Sequence, residues 1–112
     1  MRLIDRVGRA DFDAERLRRD GDVAVAFLAY WCPYCRAFAP EFEALDDHAP
    51  FRVAVADISD ESDPRWEQFR IEIVPSIVAF RAGREIGRRD GVPGYGLDEK
   101  DLQELRGIFG ER

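Results

Sequence analysis

Val23-Ala24-Val25-Ala26-Phe27-Leu28-Ala29-Tyr30-Trp31-Cys32-Pro33-Tyr34-Cys35-Arg36 is the stretch from which the fold of this chain is read. Its first seven residues are apolar without alternation, the pattern of a short strand covered on both faces at the centre of an α/β sheet. Directly after the stretch, Phe38, Phe42 and Leu45 recur at spacings of four and three, which predicts a helix. Pro33 suits the first helical position, where its missing N–H leaves nothing unpaired. Pro40 falls inside the same pattern and is expected to bend the helix. Cys32 and Cys35, the only two cysteines, therefore fall at a strand-to-helix junction with Cys32 at the cap.

Outward from that junction the pattern continues. On the N-terminal side, Asp11 to Arg19 carries Phe12, Ala14 and Leu17 among charges and reads as a short helix capped by Asp11, broken by Gly21-Asp22. On the C-terminal side, Phe51 to Ala56 reads as a second strand and Asp57 to Asp63 as an acid-rich, solvated loop. Pro64 to Phe69 is a short helix with Trp66 and Phe69 facing the core. Ser76 to Phe80 is a β-branched strand, Ala82-Gly83 a hairpin turn, and Arg84 to Asp90 a polar edge strand. Gly91-Val92-Pro93-Gly94-Tyr95-Gly96 is irregular, and Leu102, Leu105 and Phe109 mark a last helix from Asp98. The order predicts one α/β domain over residues 1–112, a central mixed sheet with helices on both faces.

The 112 residues hold 17 basic and 23 acidic side chains, a formal charge of −6. Nucleic acid and anionic membranes need a positive footprint, so neither is an expected partner. The longest apolar stretch is about half of the ~20 residues that a spanning helix needs. Met1-Arg2-Leu3-Ile4-Asp5-Arg6 has no apolar core of a secretory signal, so the expected location is the cytoplasm. His48 is read as a structural residue near the end of the helix that follows Cys35, and Glu41 and Glu43 as solvent-facing.

In a chain without a secretion signal, a C-x-x-C beside a strand–helix pattern reads first as a redox pair. A purely structural bond across so small a loop would contribute roughly 2 kcal/mol, the bottom of the usual range. A zinc site needs four ligands, and two thiolates supply half. A metal centre shared by the cysteine pairs of two chains is thus the alternative from another class, and no metal or other cofactor is expected within one chain. Cys32, at a helix N-terminus, faces orphan N–H groups and the positive end of the dipole, which favour a thiolate. Cys35, one turn further in, is expected to be buried and to keep its proton. Cys32 is then the nucleophile and Cys35 the resolving thiol.

Over nearly its whole length the chain resembles the thioredoxin family. The resemblance rests on Phe27-Leu28-Ala29-Tyr30-Trp31-Cys32-x-x-Cys35, the following helix with Ala39-Pro40, Val74-Pro75 before a strand, the Phe80-Arg81-Ala82-Gly83 turn, and Gly91 after the last strand. It implies the thioredoxin fold, a cis bond at Val74-Pro75, and thiol–disulfide oxidoreductase chemistry on disulfide-containing protein substrates. It also implies a substrate surface around Cys32 made by Trp31, Pro33, Tyr34, Val74, Pro75, Gly91 and Val92, and a monomer recharged by a thioredoxin-reductase-type or glutathione reductant.

Two departures matter. Family members usually carry a buried aspartate six residues before the nucleophile and a lysine on the next strand; here Ala26 and Val55 stand there. Cys35 is then expected to lack a nearby base, which would make disulfide reduction slow near neutral pH. The intervening Pro33-Tyr34 resembles glutaredoxin, which makes a glutathione-dependent disulfide reductase the second reading, with Arg88 or Arg89 holding glutathione carboxylates. The Gly-Gly-acid sequence of that family is replaced by Gly87-Arg88-Arg89-Asp90. The blander reading of the two arginines is a charged edge strand that resists aggregation.

Overall fold

The chain runs β1 (Asp5–Arg6), β2 (Phe12–Asp13), β3 (Arg16–Leu17), β4 (Asp22–Leu28), α1 (Pro33–Ala44), β5 (Arg52–Asp57), α2 (Arg65–Gln68), β6 (Ser76–Arg81), β7 (Arg84–Arg89) and α3 (Glu99–Ile108). This computed structural model describes residues 4–110; the signal-sequence reading rests partly on Met1 to Leu3, which lie outside them. Five strands form one sheet in the order β1-β5-β4-β6-β7. The β1–β5 and β4–β5 pairs are parallel, and the β4–β6 and β6–β7 pairs antiparallel. The sheet is therefore mixed, as the alternation of strands and helices predicts.

Val23 to Leu28 are all buried, because β4 is the middle strand and both its faces are covered. On one face Phe27 and Phe80 meet Phe12 and Phe69, with ring centroids 5.1 to 6.2 Å apart. Such tilted and edge-on pairs add about 0.5–1.5 kcal/mol each beyond their buried area. The other face carries Ala24, Ala26 and Ala79, small residues that let a helix come close. Gly87 pairs with Ala79 there, and a Cβ on it would come within 2.8 Å of the Ile108 side chain of α3. Helices thus cover both faces, α3 on the alanine side and α2, through Phe69, on the other.

Asp11 to Arg19 is not a helix. A 3-10 turn at Arg9–Asp11 leads into the two-residue strands β2 and β3, paired Phe12 to Leu17. The physical reason is the spacing: Phe12 and Leu17 are both buried but five apart, which a helix would splay by more than a turn. Ala14, at φ 56°, makes the reversal instead. Arg19 then bonds Asp5 and Asp11, and Leu17 N–H donates to the Gly83 carbonyl. β1 was not legible either, since two residues carry no period. Trp66 is only partly buried, while Phe69 is in the core as expected. α1 runs through Pro40 as one element.

Candidate active site

The site grows from the end of β4. The Ala29 carbonyl accepts from Cys32 N–H at 3.0 Å, closing a turn that delivers Cys32 to the N-cap of α1, with Pro33 as first helical residue. The Cys32 carbonyl takes the amides of Cys35 and Arg36 at 3.1 and 3.2 Å. Side chains fix this junction from outside. Tyr30 N–H donates to Ser59 Oγ, Trp31 Nε1 to the Ser59 carbonyl (both 2.8 Å), and Arg36 to the Tyr30 carbonyl at 2.6 Å. The loop after β5 therefore holds the turn that carries the first sulfur.

The two thiols differ in setting. Cys32 is 8% exposed and its Sγ donates to the Val74 carbonyl at 3.7 Å. Cys35 is wholly buried, one turn into α1, and its Sγ accepts Ala29 N–H at 3.4 Å. Burial pushes the Cys35 thiol up to about 12, the neighbouring Cys32 adds to this, and the Ala29 amide opposes it in part. Ala26 and Val55 face each other across β4 and β5, fully enclosed. The one buried carboxylate among the described residues, Asp63, belongs to Arg65 at 2.9 Å. No carboxylate thus stands ready beside Cys35. The same residues contain no group of three or more His, Cys, Asp or Glu side chains placed to hold a metal ion.

The other expected site residues divide into two groups. Val74, Pro75 and Gly91 come together at the floor: the Val74–Pro75 bond is cis, and Gly91 N–H donates to Ser76 Oγ at 3.0 Å. A Cβ on Gly91 would lie 2.4 Å from the Pro75 carbonyl oxygen, so only glycine fits. Val74 is buried and reaches the site through its carbonyl, which accepts from Cys32 Sγ. Tyr34, exposed like Pro33, donates its hydroxyl to the Gly94 carbonyl at 2.9 Å, which brings the loop bearing Val92 beside α1. Trp31 is instead tied to Ser59 and stacked on Trp66, ring centroids 6.5 Å apart and planes 8° from parallel.

Sequence reasoning missed Tyr95, Gly96, Ser59 and Trp66 as parts of this surface, and Ser76 as the buried hydroxyl that holds Gly91 in place. Gly96 sits at φ 82° with Tyr34 Cβ 3.1 Å from where its own Cβ would be, and Tyr95 is exposed beside it. A glycine on each side of one aromatic was the available signal. Arg88 and Arg89 are engaged within the fold. Arg88 bonds Asp90 and the Phe69 and Arg70 carbonyls, and Arg89 bonds Asp101 on α3. His48 lies against Arg106 at 3.3 Å, away from the cysteines in the bonding pattern.

The sequence model of the thioredoxin family matches residues 4–102. The chain belongs to the thioredoxin family. A thioredoxin of Chlamydia muridarum (strain MoPn / Nigg) is 34% identical over 82 residues, 72% of this chain and 74% of that one. A bifunctional thioredoxin reductase/thioredoxin of Mycobacterium leprae (strain TN) is 27% identical over 97 residues, 86% of this chain and 21% of the longer protein. Among solved structures, thioredoxin f2 of Chlamydomonas reinhardtii superposes with a TM-score of 0.78 at 17% identity, covering 98% of this chain and 99% of its own. The thioredoxin fold expected from the sequence is the fold observed. With the dithiol in place at the head of α1, this family member is a thiol–disulfide oxidoreductase acting on disulfide substrates. Among the described residues no helix is long and apolar enough to cross a membrane.

Proposed function

We propose that the protein reduces protein disulfides by dithiol exchange, with Cys32 as nucleophile and Cys35 as resolving thiol. The observation that carries this assignment is the asymmetry of the pair: one sulfur at the helix cap beside the substrate-facing floor, the other enclosed and protonated. The Cys32 thiolate attacks one sulfur of the substrate disulfide. A bond forms between Cys32 and that sulfur, and the other substrate sulfur leaves as a thiolate and takes a proton. Cys35 then gives up its proton and attacks Cys32 Sγ, releasing the second substrate thiol and leaving a Cys32–Cys35 disulfide. Two electrons pass from the pair to the substrate, and no further cofactor is needed. One helical turn between the sulfurs makes the second step intramolecular and fast once the proton is gone.

Trp31, Pro33, Tyr34, Pro75, Gly91 and Val92 are the proposed substrate-contacting surface, with the Val74 carbonyl at its centre. A thioredoxin-reductase-type enzyme is the proposed source of electrons, and the fused reductase of the Mycobacterium leprae relative supports that choice. The internal bonds of Arg88 and Arg89 count against their use for glutathione. We take the working form to be a cytoplasmic monomer.

Trapping tests the assignment. Cys35→Ser is expected to accumulate a covalent, reductant-sensitive adduct with a disulfide protein through Cys32, while Cys32→Ser accumulates none. Adducts on Cys35 in the Cys32→Ser protein would reverse the roles.

A further inference from the structure

Beside Cys32 the surface holds a groove of about 380 Å³, lined by Trp31, Trp66, Glu61 and Glu72. Its floor and wall are the two parallel indoles, and Trp31 is 53% exposed. Their N–H groups point into the fold, Trp31 Nε1 to the Ser59 carbonyl and Trp66 Nε1 to the Ile58 and Asp60 carbonyls. With the two rings stacked on each other, the available aromatic surface is chiefly that of the half-exposed Trp31.

The acids of the neighbouring loop are not equivalent. Asp57 accepts from Ser59, Asp60 from Ser62, and Asp63 from Arg65. Glu61 and Glu72 have no hydrogen-bond or ion-pair partner among the described residues. The basic side chains nearby in sequence are engaged elsewhere: Arg65 points into the core, bonding the Val7 and Asp57 carbonyls as well as Asp63, and Arg70 reaches Glu15 at 4.0 Å. The groove therefore presents two carboxylates without a bonded partner beside the aromatic stack, and Glu72 also borders a neighbouring groove that holds Arg70 and Arg88. An acidic side chain would be repelled there, and an apolar one would strip water from the carboxylates without replacing it. A guanidinium or ammonium satisfies both, over the indole face and beside the carboxylates.

We infer that this groove binds a basic side chain of the substrate protein flanking its reacting cysteine, so that the enzyme selects disulfides in positively charged surroundings. The inference rests on the disulfide-reductase reading above and adds to it a determinant of substrate choice. Trp31 precedes Cys32 in the chain, so a basic side chain held on its ring is held one residue from the attacking cysteine. The chain's formal charge of −6 attracts basic substrates over a longer range, but that attraction is diffuse and does not depend on these two carboxylates.

The experiment uses the full chain, pre-reduced, in single turnover with disulfide peptides identical except for one side chain next to the cysteine: arginine, its neutral isostere citrulline, or glutamate. Thiol release is followed after acid quench. The arginine peptide is expected to react about tenfold faster than the citrulline peptide at low salt, the sum of an exposed cation–π contact and a surface ion pair. In the Glu61→Gln/Glu72→Gln protein that ratio falls to about three, the share left to the cation–π contact. In Glu61→Lys/Glu72→Lys the glutamate peptide becomes the preferred one, a reversal that a merely structural role would not produce. Equal rates for arginine and citrulline in the parent protein, or an unchanged ratio in the Gln double variant, overturn the inference alone. Absence of thiol release from every peptide overturns the reductase reading and this inference with it.

Discussion

Cys35 is the residue on which the rate of the whole cycle turns. Its thiol is held up to about 12 by burial, and Ala26 and Val55 stand where members of the family usually carry a buried charge pair. Replacing a buried ion pair by apolar packing is often neutral or favourable for stability, so the exchange affects proton transfer more than folding. The sign is simple. Below 12 the group is a thiol, and only its thiolate attacks, so the attacking fraction rises about tenfold for each unit of pH through the neutral range. A preformed mixed disulfide of Cys32 with a chromogenic aromatic thiol is therefore expected to release that thiol about a hundredfold faster at pH 8 than at pH 6. A flat profile between those values would mean that an unidentified base serves Cys35. The cysteine pair, its place at the junction and the missing acid were all legible in the sequence, because each depends on residues adjacent in the chain or fixed by one strand. The Trp31–Trp66 stack and the partnerless Glu61 and Glu72 were not, since they depend on how two loops meet in space.

At the scale of elements, α2 and the loop before it deserve the weight that their four helical residues would not suggest. Arg65 is 4% exposed and joins Asp63 to the carbonyls of Val7 and Asp57, tying α2 to the ends of β1 and β5. That anchorage holds Trp66 in place against Trp31. Asp63→Asn leaves a buried guanidinium without its counter-charge and is expected to cost about 3–5 kcal/mol, read by denaturant unfolding. The Arg65 guanidinium holds the Asp63 carboxyl below the ordinary 3.8. A depressed carboxylate contributes in full above its unfolded value and loses its contribution as pH falls through the folded one. The difference between parent and Asp63→Asn is thus expected to be constant above pH ~5 and to shrink below pH ~4; no shrinkage would show that the pair adds nothing. Elements with a clear local pattern, the apolar runs of β4, β5 and β6 and the stripe of α3, were legible within a residue or two. The β2–β3 hairpin was misread because a five-residue spacing between two buried apolar side chains is ambiguous until Gly83 and Asp5 supply the partners.

Across the whole molecule one hydrophobic cluster runs from Val7 to Phe109 and includes both cysteines. The stack of Phe51 on Phe109, centroids 4.5 Å apart, brings the C-terminal end of the described chain onto the entry to β5. With a single connected core, unfolding is expected to be one transition. Tryptophan fluorescence, which reports only on the region beside Cys32 through Trp31 and Trp66, should change at the same denaturant concentration as far-ultraviolet circular dichroism. An earlier fluorescence change would show that the active end melts separately. The alanine and valine that fill the space under α1 also set a clock for encounters. A partner joined through sulfur stays joined until a proton finds its way out of an oily enclosure, so acidity lengthens the visit and alkalinity shortens it. In mildly acid solution the unmodified protein would then act as its own capture reagent.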